Sequence, residues 1–350
     1  MIEVNEEVED RRPRLSDPVQ AARLSSIAVP DLSIVVVTWN SARWIERCLR
    51  SIPPACEGLA YEIVVYDNGS FDDTLDRVEQ WGASDALAPH VIRSSNNDGF
   101  AAATNRAFKE SRGRYFFMLN PDCELAPLAL TRLVEFMESD PSAAAAAPLL
   151  EDESGESQRE FQLRRLPTFR SLLSEIFAFA KLLPRNRATA HYRYRDLELT
   201  SPQRIEQPAA AALLIRREVF DEVGPLDERF MPAWFEDVDY SRRLANAGKA
   251  MYVVPSAVAR HYGGASLEHL SFSRFNELWY RNMWLYARKW FGEGEAEALR
   301  WAIMLGLILR SFAALIGIAH PEVGKWRAIR AYVHAMGRAF HRWTVSSRSS

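Results

Sequence analysis

Cysteine is scarce in this 350-residue chain. Cys48, Cys56 and Cys123 form an odd set without C-x-x-C spacing, so neither a disulfide framework nor a zinc site is indicated and a reducing, cytoplasmic setting fits. Two phosphate-binding fingerprints are missing as well. No G-x-G-x-x-G follows the first strand pattern and no G-x-x-x-x-G-K-[ST] occurs, which argues against a dinucleotide-type site and a P-loop NTPase. There is no large excess of charge of one sign. A net charge of -3 without aromatic-interleaved basic repeats gives no reason to expect nucleic acid as a partner. Residues 1–30 alternate acidic and basic residues and lack the apolar run of a signal peptide, so a flexible tail is expected there.

What is present is an ordinary globular composition, 48% apolar and 25% charged, enough for one large domain with a smaller companion or for two domains. Asp31 to Asn40 (DLSIVVVTWN) and Tyr61 to Ser70 (YEIVVYDNGS) are short β-branched runs that end in polar residues, with a helical stretch near 41–51 between them. That is a βαβ unit with a buried parallel sheet. HVIRSSNNDGF leads into an Ala-rich helix near 101–111, and RYFFMLNPDC is a further strand. Ligands of such sheets sit beyond the carboxyl ends of the strands, where Thr38-Trp39-Asn40, Asp67-Asn68-Gly69-Ser70 and Asn120-Pro121-Asp122 collect. Asn-Gly and Asn-Pro-Asp are also common turn chemistry. Asp122, closing an apolar strand, is a candidate anchor for a divalent cation that bridges a diphosphate.

Seven blocks then occur in order: SIVVVTWN, VVYDNGSFDDT, NNDGFAAATNRAF, LNPDC, LLIRREVFDEVGPLDERF, PAWFEDVDYSRRLANAGKAMYVVPSAVARHYGGAS and WYRNMWLYARKWFG. Together they resemble family 2 glycosyltransferases, and most nearly the rhamnosyltransferase-like branch that builds bacterial cell-surface polysaccharides. The resemblance runs from about residue 31 to 292. It implies a GT-A fold: an α/β, Rossmann-like, mostly parallel sheet with flanking helices, spanning 31–265, followed by a C-terminal helical region at 266–350. It implies nucleotide contacts from Thr38, Asn40 and Asp67, and donor contacts from Asn97, Gly99, Phe100 and Asn105. The family's D-x-D metal motif reads Asn120-Pro121-Asp122 here, leaving Asp122 as the expected carboxylate on Mg²⁺ or Mn²⁺.

Sugar transfer from a nucleoside diphosphate needs a base for the acceptor hydroxyl, stabilisation of the departing diphosphate and a wall for the acceptor. The resemblance assigns the base to Asp237, with Glu236 orienting or binding the acceptor. Asp239 is expected to cap or fix the following helix, a helix N-terminal charge standing as an equal alternative to a catalytic role. Trp234 and Phe235 offer faces for a sugar ring or pack on the sheet. His261 is expected on the metal or diphosphate, with Gly263-Gly264 letting backbone approach phosphate. Arg281 is expected to meet the pyrophosphate, or else pair on the surface. Ala210 stands where relatives usually have glycine, which tightens the pocket there.

The segment at 298–320 is almost wholly apolar apart from Arg300 and Arg310, and a basic stretch follows. It is long enough to span or lie in a bilayer, and Arg310 favours lying in it; packing as a helical pair on the catalytic domain is the alternative. The expectation is an inverting, metal-dependent hexosyltransferase, peripheral or anchored at the inner face of the cell membrane. It would move L-rhamnose from dTDP-rhamnose, or a sugar from a UDP-type donor, to a lipid-linked glycan. A non-catalytic sugar-nucleotide or glycan-binding subunit is the alternative, and a homo-oligomer is left open.

Overall fold

β-Branched and aromatic runs bounded by polar turns dictate the first half of the chain. The computed structural model describes residues 29–84, 87–177, 187–263, 270–318, 323–341 and 343. The expected tail before residue 29, and Gly264, lie outside the described residues. β1 (Leu32–Thr38) leads through α1 (Ile45–Ala55) to β2 (Tyr61–Asp67), and α2 (Thr74–Ser84), β3 (His90–Arg93), α3 (Phe100–Glu110) and β4 (Tyr115–Leu119) repeat the alternation. Next come β5 (Cys123–Leu125), α4 (Ala129–Ser139), β6 (Ala143–Glu151), the short α5 (Arg159–Gln162), β7 (Leu163–Arg164), α6 (Phe169–Ile176) and α7 (Arg187–Tyr192). β8 (Gln203–Ile205), β9 (Gln207–Pro208), β10 (Ala212–Arg216), α8 (Arg217–Val223), α9 (Glu236–Asn246) and β11 (Ala250–His261) precede three closing helices. These are α10 (Phe272–Trp290), α11 (Glu293–Leu315) and α12 (Lys325–Phe340).

The main sheet has the order β3-β2-β1-β4-β10-β6-β11-β5, with β8 added on β11. β1 runs parallel to both β2 and β4, so the direction of chain progression reverses between β1 and β4 and opens a crevice at their carboxyl ends. Thr38 pairs in register with Asp67 there. Alternate β1 residues serve two cores: Leu32, Ile34 and Val36 face α1, α2 and α4, while Val35 faces α3, α8 and α9. A third core joins α6 to α10–α12 and includes Phe235.

The first helix begins later than its sequence suggests, at Ile45 rather than near 41, and ends at Ala55. Asn40 has a positive φ of 51°, and the Ser41 N–H donates to Thr74 Oγ1 at 2.7 Å, so this stretch is a loop tied to its neighbour before the helix starts. At its other end the chain stays helical through Pro53 and Pro54.

α11 is long and apolar enough to cross a membrane. One face is nevertheless packed, with Leu299, Ile303, Leu307 and Ala314 fully buried against the helical core. Arg310 Nη1 donates to Ile176 O at 2.5 Å and Nη2 to Glu175 O at 3.3 Å, capping the carbonyls at the end of α6.

Candidate active site

Parallel pairing of β1 and β2 delivers Thr38 and Asp67 side by side, and the polar tails after them form one hydrogen-bonded unit. Thr38 Oγ1 and Ser70 Oγ donate to Asp67 Oδ1 at 2.9 and 2.6 Å, and the Ser70 N–H donates to Asp67 Oδ2 at 2.9 Å. The Asn40 N–H donates to Ser70 Oγ, and Asn40 Oδ1 accepts from the Phe71 N–H. Asp67 is thereby buried and largely satisfied, with one lone-pair direction left on Oδ2. Beside this unit lies a cavity of about 430 Å³, lined by Thr38, Asn97, Phe100, Asn120, Ala210, Trp234, Phe235, Glu236 and Asp237 among others. Asn40 and Asp67 stand behind its wall.

The β5–β11 pairing sets His261 opposite Cys123 and thus next to Asp122. Gln158 Nε2 donates to His261 O at 2.7 Å, which turns Gln158 Oε1 toward His261 Nδ1 at 2.9 Å. Nδ1 is therefore the protonated nitrogen, and Nε2 directs its lone pair to Asp122 Oδ1, 3.7 Å away. Burial lowers the His261 pKa, against the pull of Asp122, so the ring stays neutral. Two electron-pair donors facing each other beyond hydrogen-bond distance are a donor set for a hard or borderline cation. The nearby Cys123 completes this cluster; burial raises its thiol pKa, and the thiol donates to Ala211 O at 3.4 Å. Phe161, which stacks on His261 at 4.9 Å, carries this corner to the cavity wall.

The two carboxylates open α9. Trp234 and Phe235 both have positive φ, 73° and 74°, an unfavourable conformation for large side chains. Asn282, fully buried on α10, donates to Ala233 O at 2.8 Å and Trp234 O at 3.0 Å and clamps that turn. Asp237 Oδ1 accepts from its neighbour Val238 N–H at 2.8 Å, and Oδ2 accepts from the Ala210 N–H at 3.4 Å. Glu236 Oε2 is buried without a hydrogen-bond partner. Burial pushes both carboxyls up; Asp237 repels Glu236 and drives it well above the usual range, while the Val238 and Ala210 N–H groups and then Arg164 restrain Asp237. The two adjacent carboxyls are thus unequal, with Glu236 the more strongly raised of the pair.

Several expected residues are placed elsewhere. Asn105 lies off the cavity: its side chain bonds Leu226 on both its N–H and its C=O, and also Glu228, and so fixes the loop before the aromatic turn. Arg281 points to Arg229 O and Met231 O, where it supports the same loop and does not line the cavity. Gly99 has φ of 86°, and a Cβ there would meet Pro232 O at 3.0 Å; its role is to let α3 dock on the 232 backbone, with the Phe100 N–H donating to Pro232 O at 2.7 Å. Asp239 binds Trp290 Nε1 at 2.9 Å, Lys289 Nζ at 2.7 Å and Arg243 Nε at 3.1 Å, tying α9 to the end of α10. Phe235 is buried against Trp279 and Tyr286 of α10 rather than packed on the sheet, and it also lines the cavity.

Sequence reasoning missed Arg164, Tyr192 and Trp279, which line the cavity. Arg164 arrives there on a two-residue strand paired with β9, in a stretch without periodic signal. Trp279 lay within the aromatic helix, where spacing alone does not separate core from cavity.

The family model described as glycosyl transferase family 2 matches residues 33–224. The N-acetylglucosaminyl-diphospho-decaprenol L-rhamnosyltransferase of Mycobacterium tuberculosis (strain ATCC 25618 / H37Rv) is 30% identical over 243 residues, covering 66% of this chain and 76% of that protein. Rhamnosyltransferase WbbL of Escherichia coli (strain K12) is 23% identical over 230 residues, covering 65% and 82%. Among solved structures, the mannosyltransferase PcManGT from Pyrobaculum calidifontis in complex with GDP-Man and Mn²⁺ has a TM-score of 0.54 at 16% identity, covering 93% of this chain and 95% of that one. GalNAc-T7 with UDP, GalNAc and Mn²⁺ gives 0.53 at 16% identity, covering 90% of this chain and 56% of the other. These last two are likenesses of fold.

Proposed function

Because the chain belongs to glycosyl transferase family 2, we propose that it is an inverting rhamnosyltransferase that moves L-rhamnose from dTDP-rhamnose to a hydroxyl of a lipid-linked glycan at the inner face of the cell membrane. The observation that carries the reading is the Glu236–Asp237 pair, Glu236 buried and Asp237 half-buried, facing a cavity whose other wall is made of the polar strand ends. The names of the two rhamnosyltransferase relatives support the sugar and, for one of them, a diphospho-decaprenol acceptor.

Asp237 is the base. As the acceptor oxygen closes on the anomeric carbon, its proton passes to an Asp237 carboxylate oxygen, the new C–O bond forms, and the old C–O bond breaks with its electron pair leaving on the diphosphate. Glu236 keeps its proton and donates to the acceptor or to Asp237, which makes Asp237 the ionised member of the pair. Arg164 holds Asp237 in that form electrostatically. Trp234, Phe235 and Trp279 wall the acceptor side and exclude water. Thr38, Asn97, Phe100 and Asn120 line the donor side, with Asn40 and Asp67 fixing the loop behind them.

The neutral His261 and Asp122 suit Mg²⁺ or Mn²⁺, which when bound would neutralise the departing diphosphate. Asn120 in place of a first carboxylate leaves few protein ligands, so a nucleotide diphosphate must complete the coordination.

The test is a panel of nucleotide sugars with a synthetic lipid-linked acceptor, and the anomeric configuration of the product read by NMR. Inverted product from the dTDP donor is expected. Retained configuration overturns the mechanism, and tight donor binding without transfer from any donor turns the reading to the non-catalytic subunit.

A further inference from the structure

The closing helices carry two features that the transfer reaction does not use. On α11, the face opposite the packed one is apolar and open: Trp301, Leu305, Ile308, Leu309, Phe312 and Ile316 recur at helical spacing, with Trp301 54% and Phe312 62% exposed. This stripe covers about 22 Å of helix at 1.5 Å per residue. No charge stands on it, because Arg310 is turned back to the α6 carbonyls and Arg300 donates to Ala339 O at 3.1 Å. Exposed apolar area of this extent is unusual on a soluble surface.

The second feature is a pair of adjoining hollows, of about 430 and 470 Å³, between the start of α10 and α12. Arg274, Arg327, Arg330 and Arg338 line them with Ser271 and Ser273. Glu277 is the acid there, taken by Arg274 and Arg338 at 3.0 Å each. Four guanidinium groups against one carboxylate leave a formal surplus of three positive charges. Trp326, 59% exposed, adjoins Arg327 at the start of α12, an aromatic placed as at a water–lipid boundary.

We propose that α10–α12 form a membrane-docking face, on which the α11 stripe lies in the plane of the bilayer interface and the arginine pocket receives the phosphate headgroup of an anionic lipid. The occupant follows from combining the two features. A free phosphate needs the pocket and not the stripe, and a second copy of the chain offers the stripe an apolar partner but has no phosphate for the arginines. An anionic bilayer satisfies both. α11 does not span it, since crossing would tear Leu299, Ile303 and Leu307 from the core and leave the α6 carbonyls uncapped. The inference rests on the membrane location in the reading above and adds the surface and the lipid class.

The experiment is flotation of the full chain with vesicles of phosphatidylcholine alone, or with about a third phosphatidylglycerol, none carrying a glycan acceptor. Binding thus reads the surface apart from sugar transfer. Wild type is expected to float with the anionic vesicles at least tenfold better than with the neutral ones, and 10 mM inorganic phosphate is expected not to release it. Arg327→Gln/Arg330→Gln should bring anionic binding down by about 30-fold, and Leu309→Ser/Phe312→Ser should weaken binding to both vesicle types. Nucleotide diphosphate binding by each variant serves as the check on folding. Equal flotation with neutral and anionic vesicles, full release by phosphate, or failure to float together with a dimer seen by light scattering would each overturn the proposal.

Discussion

Replacing Asp237 with Asn tests the assignment of the base because so little else changes. Oδ1 and its bond from the Val238 N–H at 2.8 Å are retained, the contact from the Ala210 N–H at 3.4 Å, already long, is the one hydrogen bond the amide disturbs, and the loss of charge removes both the attraction of Arg164 and the repulsion of Glu236. A hydrogen bond to a charged group contributes about 1.5–3 kcal/mol, and one of this length sits at the low end. Against this, the amide relieves the burial that pushes the Asp237 carboxyl up, so thermal stability should hold or rise. What disappears is proton acceptance, which general-base catalysis values at about 10²- to 10⁴-fold. At about 1.36 kcal/mol per decade, that is roughly 2.7–5.4 kcal/mol of transition-state stabilisation. Steady-state transfer with a fixed lipid-linked acceptor should therefore lose at least 10²-fold in kcat, while calorimetry of the donor nucleotide stays within about threefold. The acidic limb of the pH–rate profile should vanish as well, since no ionising base is left. Turnover within threefold of wild type would refute the assignment, and so would a parallel loss of donor binding.

Arg164→Met removes a cation that lowers the Asp237 pKa, so the acidic limb of kcat/KM should move to higher pH; an unmoved limb with lower activity would mean that Arg164 acts only through packing. Glu236→Gln removes a carboxyl whose folded-state pKa is raised, first by burial and then by Asp237. Above the unfolded pKa of about 4.3, the unfolded chain releases that proton and the folded one retains it, so Glu236 costs stability increasingly as pH rises. The Tm advantage of the glutamine variant should widen from pH 4 to pH 7 in thermal scans, and a constant or narrowing gap would contradict the raised pKa. Asp122→Ala should abolish the mutual strengthening of Mn²⁺ and nucleotide diphosphate binding in calorimetry, whereas unchanged coupling would move the ion elsewhere.

Much of the fold was legible because strand and helix patterns report burial, and burial is local in sequence. The β-branched runs at 32–38 and 61–67 and the apolar run at 115–119 became neighbouring strands, and their polar ends met because parallel strands end on the same edge. The start of the first helix was misread, since Ser41 has the composition of a helix cap but its backbone is taken by Thr74, 33 residues away. No local rule anticipates that bond.

By itself the sequence determined the family, the order of the strand ends and the presence of an acidic pair beside two aromatics, because these depend on residue identity and spacing. Which of those residues meet was decided only by tertiary structure. Asn105 and Arg281 stand in blocks that resemble donor-site motifs, yet packing turned them to the backbone at 226–231, where they brace the turn that presents Glu236 and Asp237. Arg164 became a neighbour of the carboxylates through a two-residue strand that sets residues 73 positions apart beside one cavity. The unequal rise in the pKa values of Glu236 and Asp237 has the same origin. Two adjacent acids in a chain are alike in water; the fold buries both, lets the Asp237 charge fall on Glu236, and gives Asp237 the Val238 and Ala210 N–H groups and Arg164 as restraint.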